Sequence, residues 1–218
     1  MTIDIRLERP EDYQETENVT REAFWNHFVP GCNEHYLLHT MRDDAAFLPE
    51  LDFVAVHDGS IVGNVALAKG IIKGDDGTDY DVLTLGPIAV LPDFQGQGIG
   101  GALIDHVKEE ARAGGHRAIV LTGDPAYYSR HGFIPAEDRG IRMADNMYAA
   151  ALQVCELYDN ALESAQGRYV EGAIYEVDEA AAEEFDQRFP EKEKTSGSPS
   201  QKRFEELVTM RRSADEPA

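Results

Sequence analysis

Cysteine is scarce: Cys32 and Cys155 are the two present, and no CxxC spacing occurs. Two thiols cannot build a disulfide framework, so free, partly buried cysteines are expected and the fold must rest on a packed core. Basic residues are scarce as well, with 20 Lys and Arg against 41 Asp and Glu and a formal net charge of −21. Phosphate-backbone binding needs a basic patch, so nucleic acid is excluded as a default partner, whereas an acidic surface attracts cations such as amines. No uninterrupted apolar run approaches the ~18 residues of a membrane helix, and no membrane partner is expected. The acidic start MTIDIRLERPEDYQE has no apolar core of a secretory signal, which makes the expected location cytoplasmic.

What is present suffices for a core. Apolar residues make up 42% of the 218, with nine Phe and nine Tyr, which excludes a wholly disordered chain. Residues 1–190 read as one domain. Residues 191–218, opening EKEKTSGSPSQKR, read as a polar, mobile tail.

Residues 3–8 alternate apolar and polar as a strand does, and Pro10 opens an amphipathic helix expected to reach Phe28. A second short helix is expected around Glu34–Arg42. Phe53–Val56 and Ile61–Ala68, joined at Asp58-Gly59, form a hairpin, and Tyr80–Val90 a third strand. Gly86-Pro87 interrupts that strand, because proline cannot donate a ladder hydrogen bond; a bulge is expected there. Beyond a glycine-rich loop, Ile99, Leu103, Val107 and Ala111 share a helical face, and Ala118–Leu121 completes a strand–helix–strand unit with a parallel pair. A short helix at 125–131, a strand from Phe133, an apolar stretch at 147–157, a strand over 168–177 and a helix bearing Phe185 follow.

The loop Gln95-Gly96-Gln97-Gly98-Ile99-Gly100-Gly101 lies between strand and helix. Its glycines let backbone approach a ligand, and unpaired N–H groups at a helix start suit an anion such as a pyrophosphate. The letters also satisfy GxGxxG through Gly96, Gly98 and Gly101, with Asp124 after the next strand, the pattern of a nicotinamide-dependent oxidoreductase. Against that reading, five residues separate strand from first glycine, and one βαβ unit is visible where a doubly wound fold repeats it. No Walker lysine follows.

The run LGPIAVLPDFQGQGIGGALIDHVKEEARAGGHRAIVLTGDPAYYSRHGF resembles the GNAT superfamily of acyl-CoA-dependent N-acetyltransferases. Its Q/R-x-x-G-x-G/A motif is met by Gln95, Gly98 and Gly100, and its A-x-Y-x-x-x-G-F element by Ala126, Tyr128, Gly132 and Phe133. Gly-Asp-Pro at 123–125 looks like a bacterial subgroup of predicted acetyltransferases. The resemblance implies an α+β fold: a mixed, mostly antiparallel central sheet with a bulged, splayed strand pair and flanking helices. It implies acetyl-CoA as co-substrate and no metal. Backbone groups of Ile88 and Val90 would pair with pantetheine amides, and the amides from Gly96 to Gly101 would cradle the pyrophosphate.

Acetyl transfer to an amine needs a neutral amine, a stabilised oxyanion and a proton for the leaving thiolate. By resemblance Tyr128 is the acid, with Tyr127 the fallback, and the backbone N–H near Ala89 would polarise the thioester carbonyl. Glu22, Asp81, His27, His57 or water could serve as base. The acceptor is a small-molecule or peptide amine, cationic by the charge argument, and exposed strands in such folds often pair in a homodimer. A non-catalytic acyl-CoA-binding module is the competing reading.

Overall fold

The computed structural model describes residues 2–215, so the last three residues of the expected tail lie outside it. Strand β1 (Asp4–Leu7) leads into helices α1 (Tyr13–Phe24) and α2 (Glu34–Met41). Strands β2 (Phe53–His57), β3 (Ser60–Gly74) and β4 (Asp79–Val90) precede α3 (Ile99–Ala113). The chain continues through β5 (Ala118–Thr122), the one-turn α4 (Pro125–Tyr128), β6 (Ile134–Pro135), β7 (Ile141–Arg142), β8 (Met147–Ala149), β9 (Leu152–Glu156) and β10 (Gly167–Val170). Helices α5 (Glu179–Asp186) and α6 (Pro199–Thr209) and strand β11 (Arg211–Ser213) follow. The fold is α+β, as expected. The described residues cluster into two compact units: one built from 2–67, 86–107 and 173–202, the other from 68–85, 108–172 and 203–215.

In the first unit β1 pairs antiparallel with β2, and β2 with the start of β3, with a register irregularity at Ala55/Val56. Helix α1 buries Thr16, Val19 and Thr20, three to four residues apart on one face. Val19 packs with Val54, Ile61 and Ala89. The helix ends at Phe24, four residues earlier than expected. Asn26 adopts φ +59, a left-handed conformation that asparagine tolerates, and its Oδ1 accepts from Gly31 N at 2.8 Å and Thr195 N at 3.0 Å. Residues 191–202 are tied to the same turn. Trp25 Nε1 donates to Glu193 O at 3.0 Å, and the buried Gln201 donates through Nε2 to Asn26 O at 3.1 Å and Thr195 O at 3.0 Å.

The same unit buries a charge cluster. Arg42 holds Glu8 with two bonds, of 2.9 and 2.8 Å, and Glu17 with one of 2.6 Å; it also covers the Tyr13 ring at 4.0 Å. His39 Nδ1 lies 2.9 Å from Glu17 Oε1. Asp52, 3% exposed, shares the pocket. Burial, then its hydrogen bond with Glu8, pushes the Asp52 carboxyl well above the usual carboxylate range. A raised folded pKa means that the unfolded chain releases this proton first as pH rises. Asp52 therefore costs nothing below its unfolded pKa and costs stability as pH climbs toward its folded one. Asp52→Asn, which keeps a donor toward Glu8, is expected to flatten the fall in urea midpoint between pH 5 and pH 8. A variant losing stability as steeply as the parent would contradict this.

In the second unit β5 pairs antiparallel with β9, β9 with β6, and the end of β3 with β10; β8 and β11 form a separate two-stranded sheet. Parallel pairs join β4 to β5 and β7 to β10. Ile72, Val82, Val120, Ile141, Val154 and Tyr169 fill the core. Tyr169 reaches Thr84 Oγ1 at 2.7 Å. A β-carbon on Gly167 would lie 2.2 Å from Lys73 O, which reserves that crossing for glycine. The apolar stretch 147–157 splits into β8 and β9, and the strand expected over 168–177 ends at Val170.

Candidate functional site

Every residue expected to hold the cofactor lies in the first unit; Tyr128 lies in the second. The ladder between β4 and β5 covers Leu83 and Thr84 and stops short of Gly86-Pro87. There the chain carries a cis peptide bond with Gly86 at φ +148, where the sequence pointed to a bulge. Tyr175 donates its hydroxyl to Gly86 O at 3.3 Å. Beyond the proline, Ala89 is buried in the α1 cluster while Ile88 and Val90 are half-exposed, the alternation a strand edge gives. A β-carbon on Gly63 would lie 2.8 Å from Ala89 O, so glycine permits this close backbone approach.

The glycine loop is braced by its own glutamines. Gln95 Nε2 donates to Val90 O at 2.9 Å, and Gln97 Nε2 to Asp93 O at 3.0 Å. Gly96 and Gly98 sit at φ +73 and +87, and a β-carbon on either would touch nothing within 4 Å. Glycine is needed there for backbone conformation rather than for space. The amide of Ala102 donates to Gly98 O at 2.9 Å, which leaves Ile99, Gly100 and Gly101 as the first-turn N–H groups ahead of it. Ile99 anchors the turn, 3% exposed, with Leu103, Ile104 and Val107 buried behind it. No Lys or Arg occurs between Leu91 and Ala102. Within the loop itself the donors are therefore backbone amides and the helix end, a set that suits a pyrophosphate.

Tyr128 ends α4. Its ring lies across Gly123, where a β-carbon would come within 2.3 Å of the ring, and meets Tyr127 and Phe133 at centroid distances of 5.0 and 5.7 Å. Gly123 is itself pinned, its N–H donating to Ala151 O at 2.9 Å and its carbonyl accepting from Gln153 Nε2 at 3.0 Å. Burial pushes the Tyr128 phenol above its ordinary value, so it keeps its proton at neutral pH. The role of Gly123 as floor for that ring escaped sequence reasoning, although Gly-Asp-Pro was the available signal.

The candidate bases are dispersed. Glu22 is paired with Lys192 at 2.8 Å, His57 Nδ1 lies 3.0 Å from Thr2 O, and Asp81 is exposed in the second unit. His27 keeps much of its surface in solvent but packs against Phe28 at 4.6 Å, and desolvation holds its imidazole below the usual value. Among the described residues no cluster of three or more His, Cys, Asp or Glu could hold a metal ion. Cys32 and Cys155 are both free.

Comparison with known proteins gives concordant matches. The family described as acetyltransferase (GNAT) domain matches residues 50–135. An uncharacterized N-acetyltransferase of Escherichia coli K12, YhbS, is 32% identical over 164 residues, covering 75% of this chain and 92% of the relative. A second from the same organism, YjhQ, is 35% identical over 106 residues, 48% of this chain and 58% of the relative's length. The structure of E. coli YhbS in complex with CoA superimposes with a TM-score of 0.70 at 29% identity, over 79% of this chain and 91% of that one. A GNAT family acetyltransferase of Brucella melitensis in complex with acetyl-CoA gives 0.64 at 30% identity, over 80% and 99%.

Proposed function

The chain belongs to the GNAT superfamily of N-acetyltransferases, and from that premise we propose that it moves an acetyl group from acetyl-CoA to a primary amine by direct attack on the thioester. One observation carries the reading: a loop with two left-handed glycines opening α3 and no basic side chain, a donor set made for pyrophosphate. The CoA and acetyl-CoA bound to the two solved relatives support the same co-substrate.

Acetyl-CoA supplies the activated acyl group. The amides from Gly96 to Gly101, with Gln95 and Gln97 bracing them, hold the pyrophosphate, and the backbone of Ile88 and Val90 lines up the pantetheine arm. The N–H of Ala89 polarises the thioester carbonyl. As the amine nitrogen bonds to that carbon and the C–S bond breaks, nitrogen gives up a proton to water and sulfur takes one. Tyr128, protonated at neutral pH, is the donor, and solvent restores its proton. The surplus of 41 acidic over 20 basic residues favours a cationic acceptor, small molecule or peptide.

The test is thiol release from acetyl-CoA across a panel of diamines, amino sugars and peptides with free amino groups. Turnover with at least one amine is expected. Acetyl-CoA binding without turnover on any of them would replace the enzyme by an acyl-CoA-sensing module.

A further inference from the structure

A helix of one turn cannot hold itself, since nucleation is unfavourable and its end groups are unpaired. Helix α4 is pinned at both ends from elsewhere in its unit. At its start, Asp124 accepts from Ala126 N at 3.0 Å through Oδ1, and its carbonyl accepts from the N–H groups of Tyr127 at 2.9 Å and Tyr128 at 3.2 Å. Arg203 of α6 grips the same carboxylate in a fork, Nε to Oδ2 at 2.8 Å and Nη2 to Oδ1 at 3.0 Å. Past its end, Lys108 Nζ donates to His131 O at 2.6 Å. The Tyr128 ring has little slack between Gly123 and Phe133, so rotation of the α4 backbone would move the phenol.

We infer that Arg203 is a positioning residue for acetyl transfer: by clamping Asp124 it fixes α4 and thereby the direction in which Tyr128 delivers its proton. The inference rests on Tyr128 being the acid. It gives a task to a segment that sequence alone left as a tail. The Arg203–Asp124 pair is partly solvated, with side chains 41% and 30% exposed, and Glu206 Oε2 stands 3.5 Å from Arg203 Nη1. Exposed pairs add little to global stability, so the effect belongs to the local geometry. A lysine would keep the charge but not the planar fork.

The experiment uses the full chain, acetyl-CoA and the amine of the panel that turns over fastest. Arg203→Gln is expected to lower kcat about tenfold with KM for acetyl-CoA unchanged, as loss of alignment does, and Arg203→Lys to recover part of the loss. Asp124→Asn should lose as much, and the double variant no more than either single, because the two side chains act as one unit. The melting temperature should move by no more than about 4 °C. A second readout needs no turnover. In protein labelled at tyrosine Cζ with carbon-13, the Tyr128 resonance, assigned by its disappearance in Tyr128→Phe, should shift or broaden in Arg203→Gln, and that of Tyr169 should not. An unmoved Tyr128 resonance, or a kcat loss matched by collapse of the melting temperature, overturns the inference. An unchanged kcat in Tyr128→Phe removes the acid itself, a separate failure.

Discussion

Gly98→Val is expected to weaken acetyl-CoA binding by about two orders of magnitude while leaving the fold intact. Gly98 sits at φ +87, a region that a β-branched residue enters only under strain. Its β-carbon would touch nothing within 4 Å, so no packing is lost and the strain can be relieved by turning the loop. Turning it re-aims the amides on either side, and the Gly98 carbonyl that starts α3 through Ala102 moves with them. Losing two amide–phosphate hydrogen bonds, each of about 1.5 kcal/mol, corresponds to roughly 100-fold in Kd. Calorimetric titration with acetyl-CoA reads it directly. An unaltered Kd would remove this loop from the co-substrate site. Gly100 and Gly101 belong to α3 itself, so their substitution tests approach of the ligand rather than backbone conformation.

Tyr128→Phe should lower kcat by about 10²-fold, the usual worth of a positioned acid, with acetyl-CoA binding unchanged. Phenylalanine keeps the ring that lies over Gly123 and against Phe133, so the turn retains its packing and only the transferable proton disappears. The raised phenol pKa predicts in addition that the parent's activity is not lost through Tyr128 ionisation at an ordinary tyrosine pH. Single-turnover measurement of thiol release separates this chemical step from product release. A kcat equal to the parent's would take the acid's role from Tyr128.

Sequence reasoning reached the parts of this protein whose determinants are local. The glycine loop and the Ala126–Phe133 element each span fewer than ten residues, so their spacing can be read directly. The hydrophobic face of α3 is equally legible, because helical period writes it into neighbouring positions. What escaped depends on distant partners. Gln201 meets Asn26 across 175 positions and Arg203 meets Asp124 across 79, and no periodicity links such pairs. Read alone, both fall in a polar tail. The early end of α1 belongs to the same group, since the left-handed turn at Asn26 is held by Thr195 as well as by its own neighbour Gly31. The burial of Asp52 belongs there too, since it depends on Glu8 and Arg42, which lie elsewhere in the sequence.

The amide-built cradle has a consequence for ionic strength. Proteins that grip phosphates with lysine and arginine lose affinity as salt displaces those contacts. In the proposed binding mode the short-range grip comes from neutral peptide dipoles, while the long-range field of a chain carrying −21 repels the same anion. Added salt screens the repulsion and leaves the hydrogen bonds in place. Acetyl-CoA should therefore be captured more readily in concentrated electrolyte than in dilute buffer, the reverse of the common phosphate-binding behaviour.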